Sequence, residues 1–315
     1  ALGGGKGGPG GRGAGPPGPP FPPPSAMRPR SQRTIRRAVA VSGRGYWSGR
    51  ESRVELLPAI AGTGVVFVRG DGAVPVRIPG LAENRVEAGS RTNLAVGGVQ
   101  VQMVEHCLSA LAGLGVDCCV VRVTAEEMPG LDGSSAAYVE AVDAAGFEDL
   151  AAPVEPLVVE EGLVVEDGAA RVEVGPPRFA GLSVEYELDY GAGPIGRQTL
   201  ALRITPETYR AELAAARTFI DVAEAERLRT SGRGLSVTTR DLIVFGPDGP
   251  IDNALRWPDE CVRHKVLDLV GDLALVGRPV HAHVRARRSG HRLNAAVASA
   301  LLAAERNGER RRASA

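Results

Sequence analysis

Hydrophobic residues recur at helical spacing in the segment DECVRHKVLDLVGDLALVG, which runs from Asp259 to Gly277. At 100° per residue, one side of the predicted helix carries Val262, Val266, Leu269, Val270, Leu273 and Val276. The opposite arc carries His264, Lys265, Asp268 and Asp272. Because the histidine and the two aspartates are spaced at i, i+4 and i+8, their side chains stack along one face. An amphipathic helix whose polar face only meets solvent would show the same pattern.

A second helical stripe covers VQMVEHCLSALAG, residues Val101 to Gly113, with Glu105 and His106 near its start. A Glu-His pair by itself is weak evidence for a site. A catalytic zinc usually takes three protein ligands and keeps a fourth position for water. His106, His264 and Asp268 supply that number. Glu105, next to a candidate ligand but spare, is suited to accept the proton of the bound water.

A third polar segment is SGHRLN, residues Ser289 to Asn294, at the predicted start of a helix. Held by a carboxylate such as Asp272, His291 would be cationic and could stabilise an oxyanion or protonate a leaving amine. Lys265, beside the candidate ligands, is suited to stabilise an anion. A plain surface histidine near a helix N-terminus also fits this segment.

Short β-type stretches fill much of the remaining chain. They are predicted at 33–41, 55–58, 65–68, 74–78, 118–123, 157–166, 170–174, 182–188, 198–203 and 280–286. Helices are predicted at Ala136–Ala145, capped by residues 132–135, and at Pro206–Ala216. Residues 151–156 have the composition of a linker. His281 and His283 form a His-x-His pair that can bind metal, but an exposed strand edge is the favoured interpretation.

Five motifs follow one another in the chain: VEHCLSALAGLGVD, EEMPGLDGSSAAYVEAV, ARTF, VRHKVLDLVGDLALVG and SGHRLN. In order and spacing they resemble the UDP-3-O-acyl-N-acetylglucosamine deacetylases, zinc amidases of the first committed step of lipid A synthesis. The resemblance extends from about Arg33 to Leu302. It implies an α+β fold of two similar layered domains, each a sheet packed on helices, with the active site between them. The domains would span 33–150 and 155–308.

The resemblance also implies roles for individual residues. It assigns zinc ligation to His106, His264 and Asp268, and catalysis to Glu105, Lys265, Asp272, His291 and Thr218. Thr218 and the substrate-binding Phe219 rest on the resemblance alone, since a Thr-Phe pair by itself indicates only a strand. Fe²⁺ suits the same donors as Zn²⁺. The substrate would be an acylated UDP-amino sugar that loses acetate from its N-acetyl group.

Two departures from the family pattern concern the substrate. Tyr46-Trp47 lies in a turn where the family usually has the pattern Gly-x-Gly-Leu-His-Ser-Gly. This difference in sequence is expected to alter one wall of the site. Residues 220–254 correspond to the family's passage for the acyl chain but differ from the family in sequence. The length of the acyl chain that the protein prefers is therefore not predicted. One alternative is a zinc amidase acting on another acylated sugar nucleotide, because the identity of the substrate rests on the resemblance. Another is a non-catalytic metal-binding homologue, which would need neither Glu105 nor His291.

Composition limits the possible partners and location of the protein but indicates no further chemistry. Lys+Arg and Asp+Glu are both 37, so the net charge of zero gives no support for a nucleic-acid partner. No apolar run reaches the ~20 residues of a membrane span. The four cysteines lie in apolar stretches, as in reduced proteins, so a cytoplasmic location is expected, with a monomer as the default.

Both ends of the chain are predicted to lie outside the folded part. Residues 1–32 are rich in Gly and Pro and are predicted to be disordered, and Met27 is a candidate natural start. Residues 309–315 are predicted to form a solvated basic tail.

Overall fold

The computed structural model describes residues 30–70 and 74–313, and for 309–313 the backbone only. Most of the predicted Gly/Pro-rich extension, including Met27, lies outside the described residues. So do the last two residues of the predicted basic tail. The final helix continues past residue 308 to Ala313.

The first half of the chain forms a large sheet, a small sheet and two helices. In order, its elements are β1 (Ser31–Ile35), β2 (Val39–Arg44), β3 (Glu51–Pro58), β4 (Val65–Arg69), β5 (Val76–Pro79), β6 (Arg85–Val86), β7 (Asn93–Val96), β8 (Val99–Gln102), α1 (Glu105–Gly113), β9 (Cys119–Val123), α2 (Ala136–Ala145) and β10 (Phe147–Pro153). The large sheet has the order β2-β3-β9-β4-β5, and the small sheet the order β6-β7-β8. Strands β1 and β10 pair antiparallel.

The second half is built in the same way. Its elements are β11 (Leu157–Val158), β12 (Leu163–Asp167), β13 (Ala170–Gly175), β14 (Leu182–Asp189), β15 (Arg197–Ile204), α3 (Pro206–Thr208), β16 (Phe219–Asp221), α4 (Val222–Thr230), β17 (Ile243–Gly246), β18 (Gly249–Pro250), α5 (Glu260–Leu273), β19 (Val280–Arg287) and α6 (His291–Ala313). The large sheet has the order β12-β13-β19-β14-β15, with β11 added on β19. The small sheet has the order β16-β17-β18.

The two large sheets share one topology. The last strand of each, β9 or β19, inserts between strands that formed earlier in the chain. It runs antiparallel to one neighbour, β3 or β13, and parallel to the other, β4 or β14. Each inserted strand follows a small sheet and a helix, α1 or α5, and precedes another helix, α2 or α6. The predicted α+β class is confirmed, and the repeated topology agrees with the predicted duplication.

The helices hold the two halves together. Helix α1 packs on α5, and α6 also contacts α5. On the outer sides, α2 contacts β2, α5 contacts β14 and β15, and α6 contacts β12 and β13. One apolar core therefore continues from the first sheet through the helices to the second.

Several predicted boundaries are wrong. Helix α1 begins at Glu105 and not at Val101, because the alternating residues of Val99–Gln102 pair with β7 as strand β8. The predicted linker 151–156 is strand as far as Pro153, because β10 pairs with β1. The predicted helix Pro206–Ala216 is instead the short α3, capped by Thr205, followed by a π-helical turn at Tyr209–Leu213.

The His-x-His pair does not lie on a sheet edge, which corrects the prediction. Strand β19 lies between β13 and β14, so His281 and His283 belong to a central strand. His283 is buried, and its Nδ1 is 2.8 Å from the hydroxyl oxygen of Ser183. Its Nε2 is 3.3 Å from a carboxylate oxygen of Glu185. His283 is thus part of the sheet's own polar contacts.

Candidate active site

A close approach between α1 and α5 creates the site. A Cβ atom at Gly271 of α5 would lie 2.2 Å from the carbonyl oxygen of Glu105, so only glycine lets the backbones come this near. As a result, the first turn of α1, with Glu105 and His106, lies beside the middle of α5, with His264 and Asp268. Each half of the molecule contributes one helix to the site.

The three predicted metal ligands come together. One potential ligand atom from each of His106, His264 and Asp268 lies within 4.8 Å of the others. Nε2 of His264 is 3.3 Å from Oδ1 of Asp268, and Nε2 of His106 is 3.7 Å from the same oxygen. His264 and Asp268 are 3% and 2% exposed, and Asp272 is fully buried. A polar helix face that only meets solvent is therefore excluded.

The chemistry of these donors fits a divalent transition metal. Nδ1 of His264 lies 3.0 Å from the carbonyl oxygen of Ala216, which can only accept, so Nδ1 carries the proton and Nε2 offers a lone pair. Burial lowers the pKa of His264 to about 4, which keeps the ring neutral. Oδ1 of Asp268 is buried with no hydrogen-bond partner in the described structure. Two imidazoles and a carboxylate suit Zn²⁺ and Fe²⁺.

The other oxygen of Asp268 is bonded to a lysine. Nζ of Lys265 donates to Oδ2 of Asp268 at 2.7 Å. Burial by itself would raise the pKa of Asp268, but His264, Lys265 and His291 together lower it well below its ordinary value. The carboxylate is therefore ionised, as ligation requires. Lys265 lines the cavity beside it.

Glu105 and His291 face each other across the cluster. Oε1 of Glu105 is 4.0 Å from Nε2 of His291, and Oε2 accepts a hydrogen bond from the backbone N–H of Thr92 at 3.0 Å. Burial raises the pKa of Glu105, and the nearby His291 and His106 oppose that shift. Glu105 is 3% exposed and is not one of the three clustered ligands. A buried carboxylate with a raised pKa is typical of a general base.

His291 is held as a cation. Its Nδ1 lies 2.9 Å from Oδ2 of Asp272. Burial by itself would lower the pKa of His291, but Asp272 and Asp268 outweigh it and raise the pKa to about 9. At neutral pH the imidazolium therefore carries a proton on Nε2, the nitrogen that points at Glu105 and Asp268.

Two residues around Asp272 were not assigned a role by the sequence reasoning. The hydroxyl of Thr92 donates to Oδ1 of Asp272 at 2.6 Å, and Nδ2 of Asn294 donates to Oδ2 at 2.9 Å. Asn294 follows His291 by three residues on α6, so helical spacing could have placed it on the same face. Thr92 precedes β7, and no local pattern links it to a residue 180 positions away.

The residues that rest on the resemblance also reach the site. The hydroxyl oxygen of Thr218 is 3.1 Å from Nε2 of His264 and 3.0 Å from the carbonyl oxygen of Gly133. The buried ring of Phe219 meets His264 edge-on, with 6.3 Å between ring centroids. With the exception of Asp272, which lies behind His291, the predicted site residues line one cavity.

The cavity has a polar end and an apolar arm, with a volume of about 610 Å³. The polar end holds the His-His-Asp cluster, Glu105 and His291. The part called the apolar arm is lined by Ile220, Ala225, Leu228, Val237, Leu242 and Val244, all from the 220–254 segment. The same segment also contributes the charged residues Glu224, Arg229 and Arg233 to the cavity. The Tyr46-Trp47 turn forms part of the opposite wall, where Arg91 stacks 5.0 Å from the centre of the Trp47 ring.

Among the described residues, none of the helices combines the length and the apolar character that crossing a membrane would require.

An α+β fold with a buried His-His-Asp cluster, a spare carboxylate and a cationic histidine is the arrangement expected of a metal-dependent hydrolase. A family model described as UDP-3-O-acyl N-acetylglycosamine deacetylase matches residues 32–303. The chain belongs to this family of enzymes. The predicted resemblance and the predicted enzyme class are thereby confirmed, and a non-catalytic homologue is not favoured.

Curated relatives cover most of the chain. The UDP-3-O-acyl-N-acetylglucosamine deacetylase of Myxococcus xanthus is 38% identical over 276 residues, which are 85% of this chain and 86% of the relative. Proteins of the same name from Brucella ovis and Brucella canis are 38% identical over 276 residues, or 87% of this chain and 96% of each relative. These alignments show the family and assign no role to a single residue.

Proposed function

We propose that this protein hydrolyses the N-acetyl group of UDP-3-O-acyl-N-acetylglucosamine and releases acetate, in lipid A biosynthesis. One observation carries the proposal: Glu105 and His291 face each other at 4.0 Å beside the His106-His264-Asp268 cluster, at the polar end of a cavity with an apolar arm. A site that only stored a metal would need neither residue. The relatives from Myxococcus and Brucella carry the name of this activity.

Three residues would hold the metal ion, namely His106, His264 and Asp268. Zn²⁺ is the proposed ion, and Fe²⁺ suits the same donors. When bound, the metal would supply Lewis acidity to the amide carbonyl and lower the pKa of a bound water toward ~7.

Glu105 would accept the proton of the attacking water. Its carboxylate is buried, its Oε2 is fixed by the N–H of Thr92, and its Oε1 is free to face the cluster. The raised pKa of Glu105 makes it a stronger base than an exposed glutamate, and it remains deprotonated only above that pKa.

His291 would stabilise the oxyanion and deliver a proton to the leaving amine. Asp272 orients it through Nδ1, so the N–H at Nε2 points toward the cluster. Lys265 lines the same cavity and would donate a further hydrogen bond to the oxyanion. The hydroxyl of Thr218 would do the same on giving up its bond to the carbonyl oxygen of Gly133. Asp272 thus acts through His291 rather than on the substrate.

The apolar arm would take the acyl chain. Its aliphatic lining comes from β16, α4, β17 and the segment between α4 and β17. Phe219, also on β16, lies beside His264. A UDP-linked sugar with an acyl group matches a cavity that is polar at one end and aliphatic at the other. The identity of the nucleotide rests on the family.

Domain limits and location complete the proposal. Two α+β domains, 33–150 and 155–308, agree with the repeated sheet topology. All four cysteines are free and buried, which supports a reducing, cytoplasmic location. A monomer without a nucleic-acid partner stays a prediction.

Metal content and deacetylation measured together test the proposal. We expect about one zinc per chain and release of acetate from UDP-3-O-(3-hydroxyacyl)-N-acetylglucosamine by the parent protein. Both are expected to be lost in His264→Ala and kept in His281→Ala, a histidine on β19 outside the cavity. Metal without acetate release from this substrate would contradict the assigned substrate. A parent protein that binds no metal would contradict the whole site.

A further inference from the structure

The turn between β2 and β3 is held rigidly against the cavity. The backbone N–H groups of Trp47 and Ser48 donate to the two carboxylate oxygens of Glu127, at 2.8 and 2.9 Å. Glu127 is itself buried. Because both oxygens of one carboxylate fix successive amides, the position of the preceding residue, Tyr46, is determined as well.

Tyr46 crosses from the first half of the molecule to the second. Its ring lies so close to Gly130 that a Cβ atom there would be 2.0 Å from the ring atom Cε1. Its hydroxyl donates a hydrogen bond to the carbonyl oxygen of Asp241, in the 220–254 segment. Tyr46 is 7% exposed, and burial raises the pKa of its hydroxyl well above the ordinary value, so the donor proton is retained.

The accepting loop leads directly to the site. Two residues after Asp241, the N–H of Ile243 donates to the carbonyl oxygen of Thr218 at 2.9 Å, which begins the pairing of β17 with β16. Thr218 in turn donates from its N–H and its hydroxyl to the carbonyl oxygen of Gly133, at 2.8 and 3.0 Å. Leu242, between Asp241 and Ile243 in the chain, has a buried side chain that lines the apolar arm.

The junction leaves no room for adjustment. A Cβ atom at Gly133 would lie 2.9 Å from both the hydroxyl oxygen of Tyr46 and the carbonyl oxygen of Asp241, and 3.1 Å from the nitrogen of Thr218. Gly133 also has φ +83°, where side chains are disfavoured. Tyr46, the Asp241 loop and Thr218 therefore meet at one point, and a shift in one must move the others.

We propose that Tyr46 is a positioning residue that determines acyl-chain selectivity: its hydroxyl fixes the Asp241–Ile243 loop, and with it Leu242 in the apolar arm and Thr218 beside His264. The inference rests on the proposed function for its substrate. A phenylalanine or a leucine at this position could not donate the hydrogen bond to Asp241.

Tyr46→Phe removes the donor and keeps the ring. In hydrogen–deuterium exchange, peptides that contain Asp241–Phe245 and Thr218–Ile220 are expected to exchange about threefold to tenfold faster, the effect of losing about one hydrogen bond. The kcat/KM ratio for two substrates of different acyl length is expected to move toward one by a similar factor, about threefold to tenfold.

Tyr138→Phe is the matched control. Tyr138 is also buried, but its hydroxyl has no hydrogen-bond partner in the described structure. Its removal is therefore expected to leave exchange in both peptides and the acyl selectivity unchanged. Tyr46→Leu restores the residue of the resembled turn and serves as a second variant. If Tyr46→Phe does not fold, this variant should show the same faster exchange.

The outcomes separate this inference from the proposed function. If the parent is active and neither variant of Tyr46 changes the exchange or the selectivity, the positioning role is overturned. Faster exchange with an unchanged acyl ratio would overturn the selectivity role. A parent that fails to deacetylate the substrate would instead overturn the proposed function, and the exchange measurement would still decide whether Tyr46 fixes the loop.

Discussion

The two halves of the molecule share a sheet topology but contribute differently to the site. In the first half, a short hairpin, β7–β8, leads directly into α1, and only the first turn of that helix, with Glu105 and His106, reaches the cluster. In the second half, the longer segment β16–α4–β17–β18 precedes α5. That helix carries His264, Lys265 and Asp268 in its middle and Asp272 in its last turn.

The difference shows that two copies of one topology can place residues at a site in two ways. The first half presents the start of a helix, where the adjacent residues Glu105 and His106 both line the cavity. The second half presents a helix face, where residues must be spaced by three or four positions. The longer insert also adds the apolar arm that the first half lacks in the corresponding small sheet.

The strongest test of this division removes the base that the first half supplies. Glu105→Gln keeps the size of the side chain and its bond to the N–H of Thr92 but cannot accept the proton. We expect turnover to fall by about 10²–10⁴ while metal content is unchanged. Kinetics and metal analysis on the same sample check this. Glu140→Gln, an exposed glutamate on α2, is the control, and near-parent turnover of Glu105→Gln would exclude it as base.

A second test concerns the buried pair of the second half. If cationic His291 is required, activity should fall as pH rises through the pKa of about 9, because the imidazolium is then lost. Asp272→Asn removes the main charge that raises this pKa, so the alkaline limb should move to lower pH. Turnover at neutral pH should drop about 10–100-fold. A pH profile measures both effects.

The control for that profile is Asp248→Asn, an exposed aspartate in the loop between β17 and β18. Its alkaline limb should coincide with that of the parent. An Asp272→Asn variant with an unmoved limb would show that the alkaline limb does not report His291.

The smallest expected effect is on the contact between the halves. In an ordinary helix interior, Gly→Ala stabilises by about 0.5–1 kcal/mol. At Gly271 the added Cβ would meet the carbonyl oxygen of Glu105, so Gly271→Ala should instead destabilise by about 1–3 kcal/mol and weaken metal binding. Thermal or denaturant unfolding with zinc titration measures both.

Gly175→Ala serves for comparison, because an added Cβ there has nothing within 4 Å. Its effect on stability should be small. A Gly271→Ala variant that is more stable than the parent would show that α1 and α5 can separate without cost, and that the site does not depend on their close approach.

Local patterns predicted much of this molecule correctly. The spacing of His264, Asp268 and Asp272 on α5 predicted a shared face, and the motifs identified the family. Prediction from the sequence fails where the pairing of a strand with a distant strand determines the secondary structure or the position in a sheet. Val101 and Gln102 fall within the segment predicted to be helical, but they belong to β8 because β7 offers them backbone partners. His281 and His283 fit an edge strand until the late β19 inserts between earlier strands.

By itself, the sequence determined the helical faces, the family and the residue types of the site, because these depend on spacing along the chain. The tertiary structure decided which residues meet. It placed Thr92 within hydrogen-bond distance of both Glu105 and Asp272. It also placed Lys265 against Oδ2 of Asp268 and the hydroxyl of Tyr46 against the carbonyl oxygen of Asp241. These contacts connect residues far apart in the chain, and burial, which shifts the pKa values of Glu105 and His291, exists only once the two halves have packed together.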